Sequence, residues 1–523
     1  MLPPTHRPAL IAAALALAAL PARAQEADTS GVDAPLVDSL EMEAAAPARP
    51  VVQLDPPGAR RIGLADALTR ALAVSPEVAA AQAVADGSAA RYDLARASRF
   101  LTTFRVETAH SLAPGLVLPD DPIAGLKDLY LDPRVRDDWS SLRPFNRISA
   151  EILQPIWTWG ELSGSIDAAR AGAAVDRAAV DVARQTAALR LAETYQGLRL
   201  ARHLDGLARE TGDLVARARR ELQRLVDDGD ESVSSADVYE LRLAETALRR
   251  QATEVRERLA TARTALARQM FDETGRDGGD APLAPADTVL APLPFRLAPL
   301  DVYLDAAESG RAEIRQAEAG LEARRALVRV ARSDLYPKLG LGVTASYSVV
   351  HGRERQRSPY VQDPYLGRPV RPGLGLRQNL AFGQTRARIR QAEAAVRQTE
   401  ALGRGAHALA AFETEEAYRN VVIATDALAA ADSALAIARE WERDAQIGAD
   451  LGLTSPRDLV RATRARIDAA IDHATRVERY NVAVLRLLTR TGGLTPAAVR
   501  ALDALPDGPG PAGTDVERGN DDP

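Results

Sequence analysis

The chain has 523 residues, enough for several ordinary domains, but only 4% are aromatic and 26% are charged. Ala, Leu, Arg and Glu dominate, which is the balance of long helices with narrow apolar seams rather than of separate globular cores. A formal net charge of −6 gives no footprint for nucleic acid, and the absence of cysteine excludes disulfides, thiol catalysis and a lipid-modified N-terminal Cys.

His6 and Arg7 lead into ALIAAALALAAL, followed by Pro21 and a small-x-small site, Ala22-Arg23-Ala24. This pattern predicts a signal peptide over 1–24 and a mature chain that leaves the cytoplasm. Its apolar core is too short to span a bilayer, and no later run of about 18 apolar residues follows. Membrane entry would therefore require a closed β-barrel. Residues 25–61 are rich in Ala, Pro and acids and are expected to be disordered. Order begins near Ile62, with Leu64, Leu68 and Leu72 at helical spacing. Ser75-Pro76-Glu77 then supplies an N-cap, a proline at the first helical position and an acid in the first turn, so a helix should run to about Ser98.

Four segments alternate with period two, at about 101–112, 146–156, 338–350 and 370–381. Phe104, Val106 and Thr108 oppose Arg105 and Glu107, and Ile148, Ala150 and Ile152 oppose Arg147, Ser149 and Glu151. Leu339, Leu341, Val343, Ala345, Tyr347 and Val349 oppose Lys338, Gly340, Gly342, Thr344, Ser346 and Ser348. Val370, Pro372, Leu374 and Leu376 oppose Arg371, Gly373, Gly375 and Arg377. An apolar face backed by a polar one suits a barrel with lipid outside and water inside. The competing reading is a two-layer soluble sheet, against which inward charges on three of the four strands weigh. Phe100, Trp157, Trp159, Tyr336 and Phe382 fall where strands meet helices, as an interfacial aromatic belt would, with ordinary strand-end packing as the alternative. Residues 111–144 and 351–369 read as unequal connections between paired strands.

Two long helical stretches carry heptads. Leu200, Leu204, Leu207, Thr211, Leu214, Ala218, Glu221 and Leu225 step by four and three, and Leu248, Ala252, Val255, Leu259, Ala262 and Leu266 return the same way. As one helix, residues 162–224 would span about 95 Å. The pattern is also written twice. Gly160 precedes Tyr195 by 35 residues and Gly383 precedes Tyr418 by 35; Tyr195 precedes Gly229 by 34 and Tyr418 precedes Gly452 by 34. Such spacing marks an internal duplication. It divides the chain into units at 62–296 and 297–495, with a disordered Gly/Pro/Asp-rich tail at 496–523.

Chemistry is sparse. The six histidines are scattered with no pair at metal spacing, and Gly340-Leu-Gly342 and Gly373-Leu-Gly375 lack the third glycine of a dinucleotide loop. Neither a cofactor nor an enzyme is expected.

At ISAEILQPIWTWGELSGSIDAARAGAAV, GLGLRQNLAFGQTRARIRQAEAAV, ARSDLYPKLGLGVTASYS and DLGLTSPRDLVRATRARIDAA the chain resembles the TolC-like outer-membrane efflux proteins. The likeness runs over about 62–495. It implies a mainly α fold of long antiparallel coiled-coil hairpins with four β-strands per protomer. A homotrimer would then share a 12-stranded β-barrel and an α-helical barrel, set in outer-membrane lipid and extending into the periplasm. The implied function is the exit duct of a tripartite efflux or type I secretion system. Its partners would be a periplasmic adaptor, or membrane fusion, protein and an inner-membrane pump.

The resemblance also implies a working end at two helix turns. Asp227, Asp228, Asp230 and Asp237 crowd the first, while Asp458 and Arg461 lie at the second, where an acid would be usual at 461. Gly229, Leu451, Gly452, Leu453 and Thr454 correspond to the adaptor contact. The alternative is a periplasmic coiled-coil adaptor or scaffold without a channel. It would need neither the amphipathic strands nor the aromatic belt.

Overall fold

The computed structural model describes residues 59–100, 103–117, 135–227, 235–270, 283–353, 363–451 and 456–503. Strand β1 (Arg60–Ile62) leads into α1 (Leu64–Val74) and α2 (Pro76–Ala97), then β2 (Thr103–Val117), β3 (Arg136–Trp157), α3 (Glu161–Asp227) and α4 (Ser235–Met270). The same order then recurs: β4 (Leu283–Pro285), α5 (Leu300–Gly310), α6 (Ala312–Ser333), β5 (Lys338–Val350), β6 (Val370–Arg377), α7 (Phe382–Asp450) and α8 (Pro456–Arg490). Helix lengths of 11, 22, 67 and 36 residues in the first unit are matched by 11, 22, 69 and 35 in the second. At about 1.5 Å per residue, α3 and α7 are each roughly 100 Å long.

Local chemistry accounts for the ends of these elements. At the start of α2 the Val78 N–H donates to Ser75 Oγ at 3.3 Å, and Pro76 occupies a position whose N–H would have no helical partner. The turn from β3 into α3 is tight, with φ of 52° at Trp159 and 93° at Gly160. Glycine adopts that region freely, whereas an aromatic residue is held there only by its surroundings.

Two sheets form. β1 pairs in parallel with β4, joining the starts of the two units. The other four strands make one antiparallel sheet in the order β2-β3-β5-β6. The principal core lies near the middle of α3, where Leu191, Tyr195 and Leu198 pack with Leu68, Leu266, Met270, Val477 and Leu485. Asn481 is a polar group matched inside it. Its Oδ1 accepts from Leu293 N at 2.7 Å, and its Nδ2 donates to Gln196 Oε1 and to the Ala291 carbonyl.

Several boundaries differ from the sequence expectation. Residues 60–61 belong to β1 rather than to a disordered segment, and the second unit opens with β4 at Leu283, ahead of 297. Strands of three residues are too short to show a period. β2 continues to Val117 and β3 begins at Arg136, so 111–144 is not all loop; Pro114 and Gly115, which straddle a bulge, disguise the strand. β6 stops at Arg377, short of 381. Residues 496–503 form helix α9 (Pro496–Asp503), with Val499 buried in the principal core, rather than disordered tail. Residues 1–24, where a signal peptide is expected, residues 25–58 and residues 504–523 lie outside the described residues.

Candidate functional site

The sheet is where alternation becomes geometry. The register sets Phe104, Ile152, Val343 and Pro372 in one row across the four strands, and Val106, Ala150, Ala345 and Val370 in another. Alternate residues make the opposite rows, such as Arg105, Glu151, Thr344 and Arg371. Over these rows one face is therefore apolar and the other polar, as the period predicts, while His110 and Asn146 meet on the apolar side nearer the far end of the sheet. Neither is covered over most of its length: Phe104 is 63% and Val370 66% exposed, and the Arg105–Glu107 pair opposite is exposed as well. The outer edges of β2 and β6 have no further strand beside them among the described residues.

At the strand–helix junction the structure joins three of the five belt aromatics. Trp159 stacks on Tyr336 with ring centroids 4.9 Å apart, and Trp157 meets Trp159 edge-on at 5.9 Å. The Trp159 indole N–H donates to the Pro337 carbonyl at 2.7 Å, which locks the positive-φ turn against the start of β5. Lys338, one of two lysines in the chain, sits beside them at 2.8 Å from Glu161 and 2.7 Å from Asp334. Phe100 and Phe382 remain exposed apart from this cluster.

The opposite ends of α3 and α7 lead to the two turns. Asp227 is the last residue of α3 and is exposed, accepting from Gln223 Nε2 at 2.9 Å. Asp237 lies in the first turn of α4. Asp228, Gly229 and Asp230 lie outside the described residues, as do Gly452, Leu453 and Thr454. Leu451 is exposed after α7, and Asp458 and Arg461 approach within 3.6 Å on the first turns of α8. The two hairpins are bridged further up, where Arg466 of α8 lies 2.7 Å from Glu442 of α7 and 3.4 Å from Glu210 of α3.

Sequence reasoning missed the buried arginines. Arg466 joins three helices; Arg311 donates to Glu413 at 2.7 Å and to the Ala410 carbonyl; Arg353 is held by Asp137 and Asp363. Their partners lie up to hundreds of positions away, so no spacing announces them.

Residues 303–493 match the family described as Outer membrane efflux protein. Over those residues, which make up most of the second unit, the chain is similar to that family. The likeness is thus to outer-membrane efflux channels, carried in sequence by the second unit. Solved structures share the fold at low sequence identity. The outer-membrane channel OprN is 17% identical, with a TM-score of 0.64 over 87% of this chain and 99% of its own. VceC of Vibrio cholerae, also 17% identical, gives 0.63 over 82% and 96%, and the open state of MtrE from Neisseria gonorrhoeae, at 17%, gives 0.63 over 83% and 90%. No curated protein matches the sequence.

Proposed function

We propose that this chain is an outer-membrane efflux channel, three copies of which close their sheets into one barrel and their hairpins into one periplasmic duct, with a gate at the helical tip. The observation that carries this reading is the four-stranded sheet with an apolar face and, among the described residues, two unpaired edges. In lipid an open edge leaves backbone groups unmatched, so the strands must close on themselves. Four strands cannot close alone, and a barrel of about eight has an interior filled by its own side chains. Three copies give twelve strands and leave room for water.

The helices supply a second support. α7 carries exposed Leu402, Leu409, Phe412, Ile423, Ile437 and Trp441, a face that a neighbouring copy would cover. In this reading the acids Asp227, Asp228, Asp230, Asp237 and Asp458, moderated by Arg461, line the entrance. Gly229, Leu451, Gly452, Leu453 and Thr454 meet the hairpin of an adaptor protein, itself bound to an inner-membrane pump. Transport energy comes from those partners, and this chain is passive.

The test is to purify the protein from outer membranes in detergent and image single particles. Threefold hollow tubes, roughly 100 Å or longer as the helices require, support the duct. Solid particles, or a chain that washes off membranes, would overturn it.

A further inference from the structure

The polar face of the sheet is covered in one place. Leu112 is 63% exposed while its neighbour Ala113 is fully buried, and Phe145 and Val350 are buried with it. By register parity these three belong to the face that carries Arg105, Glu151 and Thr344. Tyr365 and Leu366, from the connection between β5 and β6, pack against them. Phe145 and Tyr365 meet edge-on at 6.0 Å, and Arg147 of the same face donates to the Pro364 carbonyl at 3.1 Å. Residues 364–366 therefore lie over the polar face at the end of the sheet farthest from the helices.

Arg353 ties it down. Its side chain is 2% exposed and every arm of the guanidinium is engaged. Nε donates to Asp363 Oδ2 at 2.8 Å, one terminal nitrogen to Asp137 Oδ1 at 2.7 Å, and the other to the carbonyls of Pro114 and Gly115 at 2.6 and 2.8 Å. The guanidinium also lies 5.0 Å from the Tyr365 ring centre. One cation thus joins β2, β3 and residue 363 of the returning connection. The planar fork of arginine suits such multidentate holding, and a buried cation that loses an acid is left uncompensated. Ser348 and Gly367 exchange backbone hydrogen bonds beside it, continuing the ladder into this segment.

We propose that residues 351–353 and 363–367, strapped by Arg353, form a fixed constriction at the outer mouth of the duct and set the size of what leaves it. This rests on the barrel reading, which makes the polar face the lumen. Three copies place three such straps around one exit, and pore width and lining decide passage through a channel.

The chain has no cysteine, so Ser348→Cys introduces a single thiol beneath the strap, at a position 8% exposed. In the full-length purified assembly this thiol should react slowly with a bulky, membrane-impermeant maleimide, and faster once Arg353→Ala is added. In planar bilayers Arg353→Ala, without the thiol, should raise single-channel conductance and shift the exclusion cut-off to larger polymers added on the outer side. Tyr365→Ala keeps both ion pairs and removes the ring that lies against Phe145 and the Arg353 guanidinium, so it should give the same shifts at smaller amplitude even where Arg353→Ala fails to assemble. Unchanged labelling, conductance and cut-off in intact assemblies would overturn the constriction while leaving the duct standing. Absence of conductance from every form, wild type included, would overturn the duct and the constriction with it.

Discussion

The Tyr195 hydroxyl donates to the Ile62 carbonyl at 3.0 Å, from the middle of α3 to the end of β1. Ile62 also accepts from Ala286 N at 2.9 Å, so this carbonyl binds the start of the first unit to the start of the second. Tyr418, the counterpart of Tyr195 in the duplication, packs on Tyr303 with ring centroids 5.8 Å apart. Tyr195→Phe leaves the carbonyl one partner and should cost about 1 kcal/mol. Tyr195→Ala empties a fully buried site and should cost about 3–5 kcal/mol. Thermal midpoints of the purified protein in detergent should fall in that order; equal midpoints would remove the link from the account.

How much of this was legible depends on range. The α2 cap, the alternation in the four strands and the repeat from Gly160 to Tyr195 are local signals, and the structure reproduces them. The β1–β4 pairing was invisible, because three-residue strands have no period and their partner lies over 200 positions away. α9 was hidden by the Gly/Pro-rich residues that follow it; its Val499 is held by packing on the principal core rather than by propensity. The Arg353 strap could not be read at all, since Asp137 and Asp363 meet it only through the sheet register. The acidic tip is the opposite case: its residue types were plain in the sequence, while much of its geometry lies outside the described residues.

The two faces of the sheet make opposite demands. Val106 lies on the apolar face and Glu107 on the polar one, in adjacent positions of β2. Val106→Arg places a cation against lipid and should cost about 2–4 kcal/mol if it sits near the midplane. Glu107→Arg faces water and should be tolerated. Heat resistance of the assembled oligomer on gel electrophoresis would separate them; comparable losses from both would argue for a dry two-layer sheet.

The exposed apolar face of α7 gives a prediction on assembly. Phe412 is 62% exposed in the single chain. If a neighbouring copy covers it, Phe412→Glu should shift the purified protein from oligomer towards monomer while leaving its helix content intact. Native mass measurement and circular dichroism together check this. An unchanged mass would mean that this face looks into the duct or to solvent.

At the tip, Asp458 and Arg461 are exposed and 3.6 Å apart, a pair that contributes little to stability. Their effect should be on passage. If the entrance is acidic as proposed, Arg461→Ala removes a cation from it and should strengthen block of conductance by added multivalent cations, while Asp458→Asn should weaken it. Titrating the blocking cation in bilayers reads both variants. Block that moves the same way in the two would exclude this pair from the entrance.

Below the principal core, burial holds His203 under the ordinary imidazole value, and the neighbouring His473 adds to that shift. His473 is itself 2.7 Å from Asp432, so α3, α7 and α8 meet at this group of titratable residues. The sign follows from which state binds the proton. In the unfolded chain His203 protonates near 6.5, whereas in the folded protein it resists until lower pH. Stability from the neutral ring is therefore complete above about pH 6.5 and is lost as pH falls towards the folded value. His203→Gln, which cannot take up that proton, should flatten the acid side of the stability profile while changing the neutral side less. Thermal midpoints of wild type and variant across that window decide it. If the two fall in parallel, the acid sensitivity belongs to other groups, with buried Glu478 acting in the opposite sense, since burial raises its pKa and protonation eases its desolvation.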